Sequence, residues 1–428
     1  MDIFQTDDKM PGIYLHYPWC LQKCSYCDFF SVPMRHLTPA ETKENNTLYI
    51  NAIRKELSER SRLFTSGPAG SIYFGGGTAS LLNPESIQIL LDEIKKYFEI
   101  KNCEITVEGN PENFSGEYLL ALNQIGVNRI NSGFQSFSEK SLTDLKRYHR
   151  KEQYESALEA LSTSPIKNWG GDLMYGIPGQ SEEDFYRDLN DLMGYDPKHL
   201  SLYALTVEEN TAFAASVRKK EMSEPDDLIQ QKILLNLNEY LIEKNFIQYE
   251  VSNFAKRNYI CRHNLNYWLY RPYVGLGPGA HGFNGEIRYA NPRNIEKWME
   301  NPAGAERIKI DPANEIPLMI LRLTVPISIN YIFFLAEKFI PEFKNKTGRV
   351  RILELLRKWE KRGYGKINIK KETAAMPDMK TGESLGTGKA GDIFKKTADD
   401  SFFTWSRTGL QFLDERITEF SVCLENGG

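Results

Sequence analysis

The chain predicts an α/β fold on a parallel sheet, and three features carry the prediction. Short β-rich runs alternate with amphipathic helical patterns through the first half, six such pairs follow in strict succession, and the rhythm stops after about residue 210. Neighbouring parallel strands need a long crossover between them, whereas antiparallel ones need only a turn, so a strand–helix alternation demands a parallel sheet. The strands are expected at 13–17, 71–74, 104–107, 128–131, 171–174 and 200–205, and the helices at 46–63, 84–98, 115–123, 139–146, 152–161 and 182–193. Asn83 followed by Pro84 suits a helix start, as does Ser181 followed by acidic residues. A sheet of six such units is either doubly wound or curled into a partial barrel, and periodicity does not choose between them.

After the alternating half, a longer helical stretch at 226–244 leads into an aromatic, basic and glycine-rich segment at 248–283. A mixed, mainly helical remainder begins near Pro292. Within it, 344–371 is strongly basic and reads as a solvated helical face, while 374–396 is rich in Gly, Lys and Ser and reads as a flexible insertion. A helix over 407–420 would close a small C-terminal domain. The expected organisation is a tail at 1–11, the α/β unit at 12–210, a connecting helix and aromatic segment at 211–291, and the C-terminal domain at 292–428.

With 428 residues, 41% hydrophobic and 12% aromatic, the chain can bury one large core or two ordinary ones, which excludes collagen, wholesale disorder and small disulfide scaffolds. Lys and Arg total 53 against 57 Asp and Glu, a formal charge of −4, so nucleic acid is not an expected partner. The first residues are polar and acidic, and no apolar run approaches the roughly 18–20 residues of a spanning helix, so the protein is expected in the cytoplasm. Of the six cysteines, Cys20, Cys24 and Cys27 crowd together while Cys103, Cys261 and Cys423 are scattered. That usage points to a metal or cluster in a reducing compartment.

The crowded cysteines form a CxxxCxxC motif directly after the first expected strand. Three thiolates on one loop can hold three irons of a [4Fe-4S] cube and leave the fourth iron without a protein ligand. A zinc knot normally takes four protein ligands, and neither His16 nor His36, the nearby imidazoles, completes a familiar spacing. The second strand runs into Gly75-Gly76-Gly77-Thr78, where missing Cβ atoms let backbone approach a ligand. Glu108, Gln135 and Asp172 fall at or near successive strands, as polar groups do around a barrel pocket. Two other glycine-rich stretches are decoys. Gly275–Ala280 mimics a dinucleotide fingerprint but lies outside the alternating half and contains Pro278, and Gly386–Ala390 has the wrong spacing for a phosphate loop.

The cysteine spacing resembles the radical S-adenosylmethionine superfamily. Gly12–Cys20, the GGGT turn, Gly133-Phe134-Gln135, Asp172–Gly179 and Tyr249–Ala255 together resemble its HemN/HemW family, from Gly12 to about His281, with a fainter echo in 407–420. The resemblance implies a partial (β/α)6 barrel followed by a smaller, mainly helical C-terminal domain. It also implies a [4Fe-4S] cluster on Cys20, Cys24 and Cys27 whose open iron chelates S-adenosylmethionine, and a reductant for that cluster. Reductive cleavage of the sulfonium then releases a 5′-deoxyadenosyl radical, with the protein orienting the cofactor and excluding water. Carried over by position, Tyr14 and Gly76 lie at the nucleotide and Glu108 supports it. Tyr26, Gly77, Thr78, Gln135, Arg147, Asp172 and Ala204 match positions that bind a second S-adenosylmethionine in the oxidases. Ala79 stands where a proline usually follows the GGGT turn.

Two departures separate branches of this family. The oxygen-independent coproporphyrinogen III oxidases carry a further cysteine two residues after the third cluster ligand, where this chain has Phe29. This chain also has His263-Asn264-Leu265-Asn266-Tyr267-Trp268, an HNxxYW motif typical of HemW-like proteins and implicated there in haem binding. His263 and Tyr267 stand four apart, so a helix would put both on one face, where an imidazole can ligate haem iron beside aromatic surface. The haem-binding candidates are therefore His263, Asn264, Tyr267 and Trp268. His281 is an additional candidate on its glycine-rich turn, and Cys261 reads as a packed thiol. The expected function is a haem chaperone that binds haem and passes it to an acceptor protein, membrane-associated acceptors included. The alternative is a coproporphyrinogen III oxidase or another radical enzyme acting on a tetrapyrrole, with the absent fourth cysteine against it. An RNA-modifying radical enzyme using the basic tract is a distant third reading, with no recognisable RNA-binding module.

Overall fold

The computed structural model describes residues 10–64, 67–147, 150–343, 346–369 and 401–425. The expected insertion at 374–396 and most of the expected N-terminal tail lie outside them. The chain divides into two compact units. The larger holds the described residues from Met10 to Gln248 together with Ser252–Lys309, and the smaller holds Tyr249–Val251 and the described residues from Ile310 onward.

All six strand–helix units are present in the larger unit. The strands are β1 (Gly12–Tyr17), β2 (Ser71–Gly76), β3 (Glu104–Gly109), β4 (Arg129–Gln135), β5 (Asn168–Tyr175) and β6 (His199–Ala204). Between them run α1 (Pro39–Arg60), α2 (Pro84–Lys95), α3 (Gly116–Gln124), α4 (Glu139–Asp144), α5 (Lys151–Thr163) and, before β6, α6 (Glu182–Met193). The strands lie side by side in chain order, each parallel to the next. A doubly wound sheet reverses its strand order partway, and this one does not, so the fold is the partial (β/α)6 barrel. β6 is followed by α7 (Asp227–Ile242), and beyond it β7 (Asn253–Ala255) pairs antiparallel with β6. Then α8 (Arg262–Trp268) leads to β8 (Tyr273–Leu276), a further parallel strand outside β1. Antiparallel β9 (His281–Phe283), β10 (Arg288–Ala290) and β11 (Glu306–Ile308) widen that edge. Later strands thus occupy both edges of the six-stranded sheet, which stays open.

Strand alternation sorts side chains into two layers. Ile13, Leu15 and Tyr17 of β1 pack outward with Tyr49, Ile53 and Leu57 of α1, while Tyr14 and His16 face inward. β5 is buried along nearly its whole length, as a parallel strand covered on both faces must be. The α1 start lies earlier than the apolar periodicity indicates. Thr38 accepts from the Glu41 N–H while the Glu41 carboxylate accepts from the Thr38 N–H, a capping box that begins the helix at Pro39 instead of Asn46. Its first turns are solvated, so no apolar face marks them.

Glycines set how closely the β8 edge packs. A Cβ on Gly275 would stand 1.7 Å from the His281 carbonyl oxygen, and one on Gly277, at φ +96°, would stand 2.4 Å from the His16 carbonyl oxygen. The turn after β8 is held from outside by α1. Glu56, fully buried, accepts from the Gly277 N–H at 2.8 Å and from Trp298 Nε1 at 3.0 Å, with the Arg60 guanidinium 3.7 Å away. The apparent dinucleotide fingerprint is therefore a packing turn.

The smaller unit carries helices Pro312–Ile320, Ile329–Phe339, Lys346–Lys361 and Leu413–Glu425 beside a three-stranded antiparallel sheet of Ile327–Ser328, Ser401–Trp405 and Gly365–Ile369. Trp359, Phe403, Trp405 and Phe420 form its aromatic centre. The expected closing helix is broken: Arg407–Gln411 ends at Phe412 and a second helix runs from Leu413. Gly409 packs so closely on the Tyr364 carbonyl oxygen that a Cβ would lie 1.9 Å from it. Among the described residues, no helix is long and apolar enough to cross a membrane.

Gly275→Ala forces a methyl into the His281 backbone and is expected to destabilise the protein by about 2–3 kcal/mol, read as a lower Tm in a thermal melt. Burial pushes the Glu56 carboxyl up to about 7, against the hydrogen bonds and the Arg60 charge that oppose the shift. Between its ordinary value near 4.5 and about 7, the folded carboxyl keeps a proton that the unfolded one has lost. That contribution to stability is full at the acid end and is lost as pH rises through 7. Melts of wild type and Glu56→Gln across that range should therefore converge at low pH and diverge in slope above pH 5.

Candidate functional site

The cysteine loop leaves the C-terminal end of β1 and is tied down on both sides. Cys20 is held through its carbonyl by the Met34 N–H at 2.8 Å, and Ser25 N–H reaches the Leu145 carbonyl at 3.1 Å. Gly77, which follows β2, donates to the Tyr17 carbonyl at 2.7 Å, and Thr78 N–H donates to that of Trp19 at 2.9 Å. A Cβ on Gly77 would lie 2.7 Å from the Trp19 oxygen and 3.1 Å from Cys20 Sγ. Only a glycine fits the approach that sets the first thiol. The Thr78 hydroxyl then donates to Cys20 Sγ at 3.3 Å.

Arg147 organises the other side. Its guanidinium donates to Cys24 Sγ at 3.7 Å, to the Tyr26 hydroxyl at 3.2 Å, to Asn110 Oδ1 at 3.0 Å and to the Gly133 carbonyl. β4 carries a bulge between Gly133 and Gln135, with Gln135 at φ +69°, which turns the strand end toward this guanidinium. Burial pushes the Cys27 thiol up to about 11 and raises Cys20 as well, so binding of a metal must release their protons.

Inward from the loop lies a polar column. Tyr14 OH meets His16 Nδ1 at 3.1 Å, and His16 Nε2 meets the Phe30 carbonyl at 2.7 Å. Burial holds the His16 imidazole down to about 4, so the ring is neutral and the Nε2–Phe30 contact is an N–H donation. Tyr73 OH donates to Glu108 at 2.6 Å, and burial together with the Asp172 charge pushes the Glu108 carboxyl up to about 7. Asp172 accepts from Asn131 Nδ2 at 2.8 and 2.9 Å. Ala204 ends β6. Sequence reasoning named Tyr14, Glu108 and Asp172 but not the groups that hold them. Tyr73, Asn110 and His16 stand inside the motif stretches, but nothing in their spacing marks a role for them, and Asn131 has no motif signal.

The HNxxYW segment is α8, at the opposite end of the strands. His263 is 1% exposed and contacts the first residues of β1 to β3. Its Nδ1 meets Ser71 Oγ at 2.8 Å, its Nε2 meets Tyr267 OH at 2.8 Å, and its backbone N–H donates to Glu104 at 3.1 Å. The ring stacks on Tyr73 at 5.1 Å between centroids. Burial, with the Arg129 charge, pushes its pKa down to about 3. A neutral imidazole has one N–H and one lone pair, and both are used here. Asn264, Tyr267 and Trp268 are half-buried, and Tyr267 packs edge-on against Tyr273 at 4.6 Å. Cys261 is fully buried with its thiol pushed up to about 12, a packed residue in this fold.

An open (β/α)6 barrel with three cysteines on the loop after its first strand defines a radical S-adenosylmethionine protein, and the Radical SAM superfamily model matches residues 14–192. "Heme chaperone HemW" of Buchnera aphidicola subsp. Schizaphis graminum is 34% identical over 372 residues, covering 84% of this chain and 94% of the relative. The protein of that name in Escherichia coli (strain K12) is 36% identical over 277 residues, 64% of this chain and 71% of the relative. The chain belongs to the HemW family. The solved structure of coproporphyrinogen III oxidase (HemN) from Escherichia coli, a radical SAM enzyme, superposes with a TM-score of 0.70 over 99% of this chain and 92% of that one, at 17% identity, a likeness of fold.

The superfamily implies a [4Fe-4S] cluster and S-adenosylmethionine, and the residues fit them. Three thiols share one anchored loop, a glycine leaves the approach to Cys20 open, and the Arg147 guanidinium stands beside Cys24 to offset thiolate charge. Among the described residues no three His, Cys, Asp or Glu side chains converge as ligands of one metal ion do. A cubane does not require that convergence, because each thiolate takes a different iron. Phe29, at the position of the oxidases' further cysteine, is 67% exposed.

His263→Ala removes a stacked ring and two buried hydrogen bonds, and is expected to cost about 2–4 kcal/mol, measured by urea denaturation. Ser71→Ala, which leaves one ring nitrogen unpaired, should cost less than half as much.

Proposed function

We propose that this protein is a haem chaperone of the HemW type, which binds haem and transfers it to an acceptor protein while carrying a [4Fe-4S] cluster and S-adenosylmethionine. The observation that carries the reading is 34% identity along 94% of a relative named "Heme chaperone HemW", joined to an intact three-cysteine loop and to Phe29 in place of a fourth cysteine. Cys20, Cys24 and Cys27 would hold three irons. The cluster with bound S-adenosylmethionine supplies a one-electron route to cleavage of the sulfonium carbon–sulfur bond.

The chain's own residues would seat the nucleotide. Tyr14 and Gly76 would lie along it, with Gly76 at φ +107° keeping clear of the His16 ring, 2.9 Å from where a Cβ would stand. Glu108, half-buried and readily protonated, would receive its polar end. Tyr26, Gly77, Thr78, Gln135, Arg147, Asp172 and Ala204, at positions that bind a second S-adenosylmethionine in the oxidases, would add further contacts, and Arg147 ties the cysteine loop to β4. The HNxxYW residues His263, Asn264, Tyr267 and Trp268 would take part in haem binding, His263 as a buried support and Tyr267 through its packing on Tyr273. The domain divisions at 1–11, 12–210, 211–291 and 292–428 stay a proposal about organisation along the sequence.

Anaerobic reconstitution tests this reading. Wild type should bind about four irons per chain, change its reduced-cluster EPR signal on adding S-adenosylmethionine, and develop a Soret band with one equivalent of haem. Cys24→Ser should lose the cluster signal and keep the Soret band. Absence of haem binding by the reconstituted protein, or turnover of coproporphyrinogen III under reducing anaerobic conditions, would displace the chaperone reading.

A further inference from the structure

We propose that the haem taken up by this protein is ligated at iron by the His281 imidazole, on the inner face of the β9–β10 hairpin beside the cysteine loop. The proposal rests on the haem reading above and names the ligand that reading lacks.

An iron ligand needs a lone pair that is free and reachable. His16, His199 and His263 are buried, and the ring nitrogens of His16 and His263 already hold Phe30, Tyr14, Ser71 and Tyr267. His281 is exposed, and among the described residues no hydrogen bond engages its ring. Its position is fixed by backbone: its carbonyl fills the space beside Gly275, and it pairs across the hairpin with Ala290. Phe283 shares its face two residues on, and Phe283 pairs with Arg288, whose guanidinium donates to Tyr273 OH at 3.0 Å. Tyr289, on the other face, packs under Arg60 of α1, so the His281 face is the one turned away from the outer helix.

The surroundings suit a dianionic, planar, apolar ligand. Partial burial, and after it the charges of Arg288 and Arg293, hold the His281 pKa below its ordinary value, so the lone pair is available at neutral pH. Arg288, held on the Tyr273 hydroxyl, and Arg293, 3.6 Å from the Asp28 carboxylate, supply positive charge on the side where propionates would lie. Phe30 sits against Gly279 on the same turn, where a Cβ would approach its side chain to 2.9 Å, and the exposed Phe29 is its neighbour. Arg293 donates to the Asp28 carbonyl, joining this patch to the cysteine loop. Tyr267 of the HNxxYW motif packs on Tyr273, whose hydroxyl Arg288 holds, so the motif buttresses the same face from below. His36, the other exposed histidine of the described residues, lies before α1 beside Glu41.

The experiment titrates haem into full-length wild type, His281→Ala, His263→Ala and His36→Ala, following the Soret band and the resonance Raman iron–histidine mode. The expected result is at least a tenfold weaker affinity and loss of the iron–histidine mode in His281→Ala alone, with the mode restored by added imidazole. Arg288→Gln and Arg293→Gln should weaken binding while retaining the mode. An unchanged spectrum and affinity in His281→Ala, or loss of the mode in a correctly folded His263→Ala with His281 intact, overturns the assignment and leaves the chaperone reading standing. Failure of wild type to bind haem overturns both.

Discussion

The structure depends on close backbone packing around the end of β1. Gly77 brings the segment after β2 against Trp19, and Gly277 brings the turn after β8 against His16, each at a distance that admits no Cβ. Between them they grip the last residues of β1 from both neighbours. Cys20, the first cysteine of the loop, leaves directly from that grip, so its position is set by backbone hydrogen bonds and not by side-chain packing that a mutation could relax. Placing a reactive loop on the most constrained part of the scaffold is what a site with demanding geometry requires.

The constraint is reinforced from two directions. Outside, the buried Glu56 carboxylate accepts from the Gly277 N–H and thereby couples α1 to the turn. Inside, His16 bridges Tyr14 to the Phe30 carbonyl, joining the strand to the far end of its own loop. Arg147 is the third tie, spanning the loop, β4 and the segment after β3. Buried polar groups of this kind are stable only when mutually satisfied, which makes the loop's supports act together.

The barrel also separates two tasks along its axis. The C-terminal ends of the strands present thiols, hydroxyls and a guanidinium, while α8 packs at the N-terminal ends of β1 to β3, where its first N–H groups meet the Glu104 carboxylate. His263 is the centre of that packing. A histidine that the motif marks as functional thus also bears a structural load, while His281, exposed and nearer the cysteines, has no hydrogen bond to its ring among the described residues.

Much was legible in the residues themselves. The cysteine spacing, the GGGT turn and the alternation of six units are local patterns, each imposed by chemistry that acts within a few residues, so they identified the fold class and the family and singled out the cysteine loop. The α1 start was readable too, in Thr38 and Glu41, but a capping box is a weaker signal than an apolar stripe. What lay beyond reach was pairing at a distance: that β8 would join β1 in parallel, that Glu56 would hold Gly277 across more than two hundred residues, that both nitrogens of His263 would find Ser71 and Tyr267. Such contacts are decided by which surfaces meet once the sheet has curled, a property of the packed whole that no stretch of sequence carries alone.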